Sequence, residues 1–302
     1  EDGMNWAYFW SLFSISLHAM VPITLTAVGE VIGECAGLFN IGLEGILLLS
    51  AFTGTLGARA GGPLFGLFVG MITGLAVGFV FGLICAYWKG NQLIAGVGIN
   101  LFALGFVAFG LQVLGSPGFY TVPRAAQLPP IRTGVGAFSP LIPLALALPF
   151  FVHWLLNHTR IGLRIKSVGE NPEAADVAGI PVELTQLLST MVGASLAGLA
   201  GAYMSVSWLG SVTKEISAGR GFIALATVVF SGLRPLLALS GGLLFGFFES
   251  LATWIQSLPG VKEVVPWQFI AMIPYVATLL VVAGVIGRVR FPKALGIPYR
   301  RE

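Results

Sequence analysis

Long apolar runs separated by short polar breaks fill this chain, and they decide what it can fold into. They fall at about residues 6–28, 42–58, 63–88, 92–115, 139–157, 184–206, 220–233, 236–257 and 267–287. Only 10% of the residues are charged and the mean hydropathy is +0.89. A soluble domain carries about a quarter charged residues, so this chain lacks the means to cover a water-facing surface. In lipid every backbone amide must be satisfied internally, which leaves helices or a closed barrel. Barrel strands alternate with period two, and these runs do not. The fold class expected is therefore all-α: a polytopic transmembrane helical bundle of about 8–10 spans, each of roughly 20 residues. The runs at 42–58 and 220–233 are short for a crossing and read as broken or re-entrant helices, tolerated where protein shields the backbone.

Basic residues orient the bundle. Lys89, Arg160, Arg164, Lys166, Arg234, Arg288, Arg290, Lys293, Arg300 and Arg301 fall on one side of the spans, and Arg59, Arg124, Arg132, Lys214, Arg220 and Lys262 on the other. By the positive-inside rule the first group, with the C-terminus, is cytoplasmic, and nine crossings put the N-terminus outside. The formal charge of +3 gives no reason to expect nucleic acid. Cys35 and Cys85 read as small buried side chains. Glu1-Asp2-Gly3 lacks the basic start of a cleaved leader, so the first run is expected to stay as a span. Residues 116–138, rich in Pro and Gly, read as a structured outer loop. No linker divides the chain, and 1–302 is expected to be one transmembrane domain.

Small residues recur at every fourth position in three runs: Gly66, Gly70, Gly74, Gly78 and Gly82; Gly193, Ala197 and Gly201; Gly242, Gly246 and Ser250. On a helix such rows make smooth ridges that let two backbones approach closely in lipid.

One polar island interrupts the apolar pattern. Residues 158–181 hold Arg160, Arg164, Lys166, Glu170, Glu173 and Asp176, with Glu183 just beyond. Asn171-Pro172-Glu173 is a helix start: Asn caps the first amides, Pro suits the first position, and Glu173 suits the positive helix end. Gly179-Ile180-Pro181 is a stop. The two-turn helix between them, about 172–178, is too short to stand alone in water. Its face of Ala174, Val177 and Ala178, flanked by Ala175 and Asp176, suits a shallow cleft on a partner better than lipid.

The stretch Gly162-Leu-Arg164 through Gly169-Glu170-Asn171-Pro172-Glu-Ala174-Ala175-Asp-Val-Ala-Gly179 resembles the coupling segment of ABC-importer permeases, the type II branch that carries branched-chain amino acids, ribose and nucleosides. Glu34-Cys-Ala-Gly37-Leu-Phe-Asn40-Ile-Gly42-Leu-Glu44-Gly45 is similar to an early signature of the nucleoside-type members, and Gly219-Arg220-Gly221-Phe222 to a late one. Cys35 stands where Arg is more usual, and Lys166-Ser167-Val168 departs from the common form. The resemblance implies that Arg164, Gly169, Glu170, Asn171, Pro172, Glu173, Ala174, Ala175, Val177, Ala178 and Gly179 couple to a cytoplasmic ATPase. It also implies a second related permease (a heterodimer), an extracytoplasmic binding protein and a bacterial-type cytoplasmic membrane. ATP and Mg would act in the partner, because no Gly-x-x-x-x-Gly-Lys-Ser/Thr loop occurs here. Replacing Ala174 with Arg or Gly169 with Trp is expected to block docking and spare the fold.

Polar residues within the runs are candidates for the solute path: Asn40, Glu44, Asn100 and Glu249. Intramembrane acids face a bundle interior or a wet cavity. Glu44 alternatively satisfies amides at the start of its own helix, Glu249 alternatively bonds between helices, and the two Asn alternatively cap or stitch. Replacing Asn40 with Leu is expected to alter transport or basal ATPase activity and leave assembly intact. The absence of clustered positive charge in the runs disfavours anionic cargo and favours neutral hydrogen-bonding solutes, nucleosides before riboflavin-like molecules or simple sugars. A secondary transporter driven by an ion gradient is the alternative, motivated by the two acids and the two short runs. No catalytic or metal-ligand spacing stands out.

Overall fold

The structure, a computed structural model, describes residues 2–133, 136–257, 266–285 and 290–299. Lys262, Arg288, Arg300 and Arg301 lie outside the described residues. Helices dominate: α1 (Asp2–Cys35), α2 (Leu43–Gly61), α3 (Pro63–Gly82), α4 (Gln92–Val113), α5 (Leu141–His158), α6 (Arg160–Glu170), α7 (Pro172–Val177), α8 (Val182–Tyr203), α9 (Arg220–Ser231), α10 (Pro235–Ser257), α11 (Trp267–Ala271) and α12 (Ile273–Val285). Among the described residues six helical stretches are long and apolar enough to cross a membrane: Trp10–Cys35, Pro63–Tyr87, Gln92–Val113, Leu141–His158, Val182–Trp208 and Pro235–Gln256. α2 and α9, at 19 and 12 residues, are the short elements anticipated.

The first apolar run is longer than its hydropathy suggests. α1 continues past residue 28 to Cys35 and carries Glu30 and Glu34, exposed by 3% and 0%. Sequence reading missed both as intramembrane acids, because hydropathy falls where they occur. The last run breaks between α11 and α12 at Met272, just ahead of Pro274. A proline is tolerated in the first turn of a helix and not in its interior.

The small-residue ridges are the main packing device. All five α3 glycines are buried. A Cβ on Gly66 would strike α2 at Ala58, and one on Gly70, Gly74, Gly78 or Gly82 would strike α8. Gly29 and Gly193 oppose each other across the α1–α8 crossing, each meeting the other's carbonyl, and Gly242 and Gly246 lie on α1 at Thr24 and Met20. Without a side chain between them the backbones touch, and dispersion holds them. Outward faces carry Phe65, Phe68, Leu101, Phe102 and Phe109, exposed by 47–67%. Trp88 and Trp154, exposed by 72% and 54%, mark span ends.

Residues 116–138 form short strands, as expected of a structured loop. β1 (Phe119–Thr121) pairs antiparallel with β4 (Ser211–Thr213), and β2 (Ile131–Thr133) with β3 (Gly136–Phe138). Arg59, Arg124, Arg132 and Lys214 belong to this end of the bundle. Lys89, Arg160, Arg164, Lys166, Arg234, Arg290 and Lys293 belong to the other, where α6 and α7 lie. Arg220 corrects the charge assignment: it is 8% exposed and paired with Glu249, so it is an interior residue and no loop charge.

Candidate functional site

The polar island folds as two helices. α6, which the sequence reading left out, starts at Thr159, whose hydroxyl accepts from Gly162 N at 3.2 Å. Ile165, Val168 and Gly169 turn inward, while Arg160 and Arg164 turn out. α7 is capped as anticipated, with Asn171 Oδ1 accepting from Ala174 N at 3.0 Å. Its end is a complete Schellman motif: Gly179 N donates to Asp176 O at 2.9 Å, Ile180 N to Ala175 O at 2.9 Å, and Gly179 takes φ +79°. Ala175 is 3% exposed and packs with Val168, Val182 and Tyr299. Glu173, Ala174, Val177 and Ala178 remain exposed, Val177 by 91%. The outward face of α7 is therefore the one read from helical spacing, with Ala175 as its buried anchor.

The platform beneath α7 is stitched to distant chain. Tyr299 Oη donates to Asp176 Oδ2 at 3.0 Å, Ala294 N to Gly169 O at 3.0 Å, and Gly296 N to Gly37 O at 3.2 Å. Gly169 is buried, and a Cβ there would collide with the carbonyl of Cys35. The expectation that Gly169→Trp spares the fold is thus overturned: no room exists for any side chain. Arg164 points elsewhere, lining an apolar groove with Ile161, Leu184 and Leu188. Glu170 is exposed and meets Lys293 at 3.5 Å.

A second polar centre lies where α2 and α9 begin. Between α1 and α2 the chain runs non-helically through residues 36–42, which demands a partner for each buried backbone group. Distant side chains supply them. Gln186 Nε2 donates to Ala36 O at 3.2 Å, and Phe39 N donates to Gln92 Oε1 at 2.7 Å. Asn40 N donates to Glu30 Oε1 at 2.7 Å, and Gly42 N to Asn40 Oδ1 at 2.8 Å. Asn100 Nδ2 donates to Ile41 O at 3.1 Å, while Gly45 N donates to Asn100 Oδ1 at 2.7 Å. Both Asn are therefore stitches. Asn40, 1% exposed, does not reach the cavity described next, and its Oδ1 is committed to Gly42 N.

Glu44 satisfies helix-start amides, but those of α9 and not of its own α2. Gly219 N and Gly221 N each donate to its carboxylate at 2.7 Å. An anion at the positive end of a helix is well placed, and here it pins two short helices start to start. Behind it Arg220 forms an ion pair with Glu249, its Nε reaching Oε2 at 3.3 Å. The guanidinium also donates to Ile216 O at 2.9 Å and lies 4.8 Å from the Trp208 ring centre. Glu249 thus bonds between helices.

In front of this junction is a cavity of ≈ 450 Å³ lined by Glu44, Asn100, Lys214, Ser217, Phe222 and Tyr275, among others. Tyr275 Oη donates to Ala218 O at 2.6 Å. Of the four residues expected on the solute path, the structure brings Glu44 and Asn100 together here and leaves Asn40 and Glu249 behind it. Sequence reading missed Ser217, Phe222 and Tyr275. The signal for Phe222 was present in Gly219-Arg220-Gly221-Phe222, but nothing local marks Tyr275, which reaches the site from α12. The wall combines amide, hydroxyl and carboxylate groups with aromatic faces, suited to a small hydrogen-bonding solute with a flat apolar side.

Residues 12–285 match the family described as branched-chain amino acid transport system / permease component. The chain belongs to that permease family, and it is a membrane-embedded permease subunit of the ABC-importer class. Relatives agree over nearly full length. The guanosine ABC transporter permease NupQ of Bacillus subtilis is 36% identical over 300 residues, covering 92% of each chain. The nucleoside ABC transporter permease NupC of Lactococcus lactis is 32% identical over 300 residues, covering 92% of this chain and 93% of its own. TsgC13 of Haloferax volcanii, named for glucose ABC transport, is 32% identical over 321 residues, covering 96% and 98%.

Proposed function

We propose that this chain is a permease subunit of a nucleoside importer in a bacterial-type cytoplasmic membrane, with α6, α7 and residues 290–299 on the cytoplasmic side. The supporting observation is the pairing of an outward apolar face on α7 with a separate cavity of nucleoside size. Ala174, Val177 and Ala178 dock in a cleft of an ABC ATPase, which binds and hydrolyses ATP with Mg. A related permease chain completes the pore as a heterodimer, and an extracytoplasmic binding protein delivers the solute to the β1–β4 end. Closure of the ATPases moves the α7 platform, and through residues 36–45 that motion reaches the α2–α9 junction. Opening and closing that junction gives alternating access.

Nucleosides are favoured by the names of NupQ and NupC and by the amide and aromatic lining. The glucose-named relative keeps a simple sugar as the second reading, with riboflavin-like molecules behind it. The two acids that motivated an ion-gradient transporter are already engaged, Glu44 by two backbone amides and Glu249 by Arg220. Uptake in proteoliposomes carrying the whole assembly tests the proposal. ATP-dependent guanosine or cytidine uptake, unaffected by collapsing ion gradients, is expected; glucose uptake with no nucleoside uptake overturns the cargo.

A further inference from the structure

The end of the bundle that carries α7 also holds a cavity of ≈ 1060 Å³, apart from the exposed face of α7 and from the solute cavity. We infer that it binds the phosphate headgroup of an anionic phospholipid. Lys166, Arg234, Arg290 and Lys293 line it, with His153, against the single acid Glu170. That acid does not neutralise the group: its 3.5 Å pair with Lys293 is between side chains 57% and 82% exposed, and such pairs count for little. Lys166 Nζ donates to the neutral Asn157 Oδ1 at 2.7 Å. Arg234 and Arg290 are exposed, and their guanidinium groups have no ion pair or hydrogen bond among the described residues. The start of α10 opens on the same space at Pro235, and its first turn has no acid. Its positive end therefore adds to the cations.

Depth selects lipid over a soluble phosphate. Three apolar spans terminate around this cavity, at Cys35 of α1, at His153 to Asn157 near the end of α5, and at Pro235 of α10. Spans of this length end near the headgroups, which puts the cavity at that level. Leu156, Leu233 and Phe291 contribute an apolar wall that a free ion has no use for. Trp154, 54% exposed on α5, sits at the same level as an interfacial aromatic. Basic pockets between spans at a membrane surface are suited to acidic headgroups. Because residues 290–293 join this cavity and Ala294 N bonds Gly169 O, a bound lipid would brace the platform under α7.

The test uses the full chain in phosphatidylcholine nanodiscs, with and without phosphatidylglycerol. Native mass spectrometry reads the lipid retained, and thermal melting reads the fold. Wild type is expected to keep phosphatidylglycerol, and Arg234→Gln/Arg290→Gln to hold it about tenfold less tightly, since charge-assisted phosphate contacts are strong. Melting of that variant in pure phosphatidylcholine should match wild type; if it melts early, Lys293→Gln, at a well-exposed side chain, is read in its place. Arg160→Gln, which removes a positive charge outside the cavity, should retain lipid normally. Equal loss in Arg160→Gln would reduce the effect to diffuse interfacial charge and overturn the site. Inorganic phosphate raising the melting temperature as much as phosphatidylglycerol would overturn the lipid source. So would unchanged lipid retention in the double variant with loss of ATPase co-purification, which would give these charges to a protein surface.

Discussion

Residues 36–45 and 158–181 are both polar interruptions in an apolar chain, and they solve opposite problems. The first crosses the bundle interior, and its backbone is satisfied by side chains far away in sequence: Glu30, Gln92, Asn100 and Gln186. The second closes its helix ends locally, with Thr159 and Asn171 as caps and a Schellman turn at Gly179, while Tyr299 and Ala294 hold it from beneath at Asp176 and Gly169. A segment that depends on distant partners is locked into the fold. A segment whose helix ends are closed locally can lend its outer face to another molecule, and Val177, 91% exposed, is on that face. Polar content alone does not separate anchor from handle; the sequence distance of the partners does.

The largest effect expected is at the interior centre. Glu249→Leu leaves Arg220 buried and unpaired, which costs about 3–5 kcal/mol. Detergent-solubilised protein should lose its cooperative melt, and Arg220→Met/Glu249→Leu should recover much of it. A single mutant that melts like wild type would break the picture of a closed interior.

Next is Asn100→Leu, which orphans Gly45 N and Ile41 O. Each buried unpaired group costs about 1–3 kcal/mol, so thermal stability falls even before transport is assayed. Unchanged stability with lost uptake would return Asn100 to a purely solute-binding role.

On the self-completed segment the effects shrink. Asn171→Ala removes a cap worth about 1 kcal/mol, and hydrogen exchange should rise in α7 while the spans stay protected. Ala174→Arg should change stability by less than about 0.5 kcal/mol, as surface substitutions do, yet abolish co-purification of the ATPase. Ala175→Arg, one residue along, should destabilise the platform, because Ala175 packs against Val168, Val182 and Tyr299. Identical behaviour of the two arginine variants would erase the distinction between face and anchor.

Much of this was legible in the chain. The spans, the two short helices, the glycine ridges and both caps of α7 depend on local spacing, and local spacing survives folding. What was not legible depends on long-range pairing. Glu44 reads from the sequence as a solute-path acid or a partner for its own helix start, and it serves α9, 175 residues away. Arg220 looked like a loop charge because its partner lies on another helix, 29 residues on. Gly169 looked like part of a docking face because nothing near it in sequence reveals the Cys35 carbonyl against it.

A single cysteine at Val177 tests the central claim most directly. Cys35 and Cys85 are buried, so the background is low. In membranes holding the whole assembly, Val177→Cys should cross-link to the ATPase subunit and stay unlabelled by an impermeant thiol reagent added outside. Labelling from the outside, with no ATPase adduct, would contradict the account.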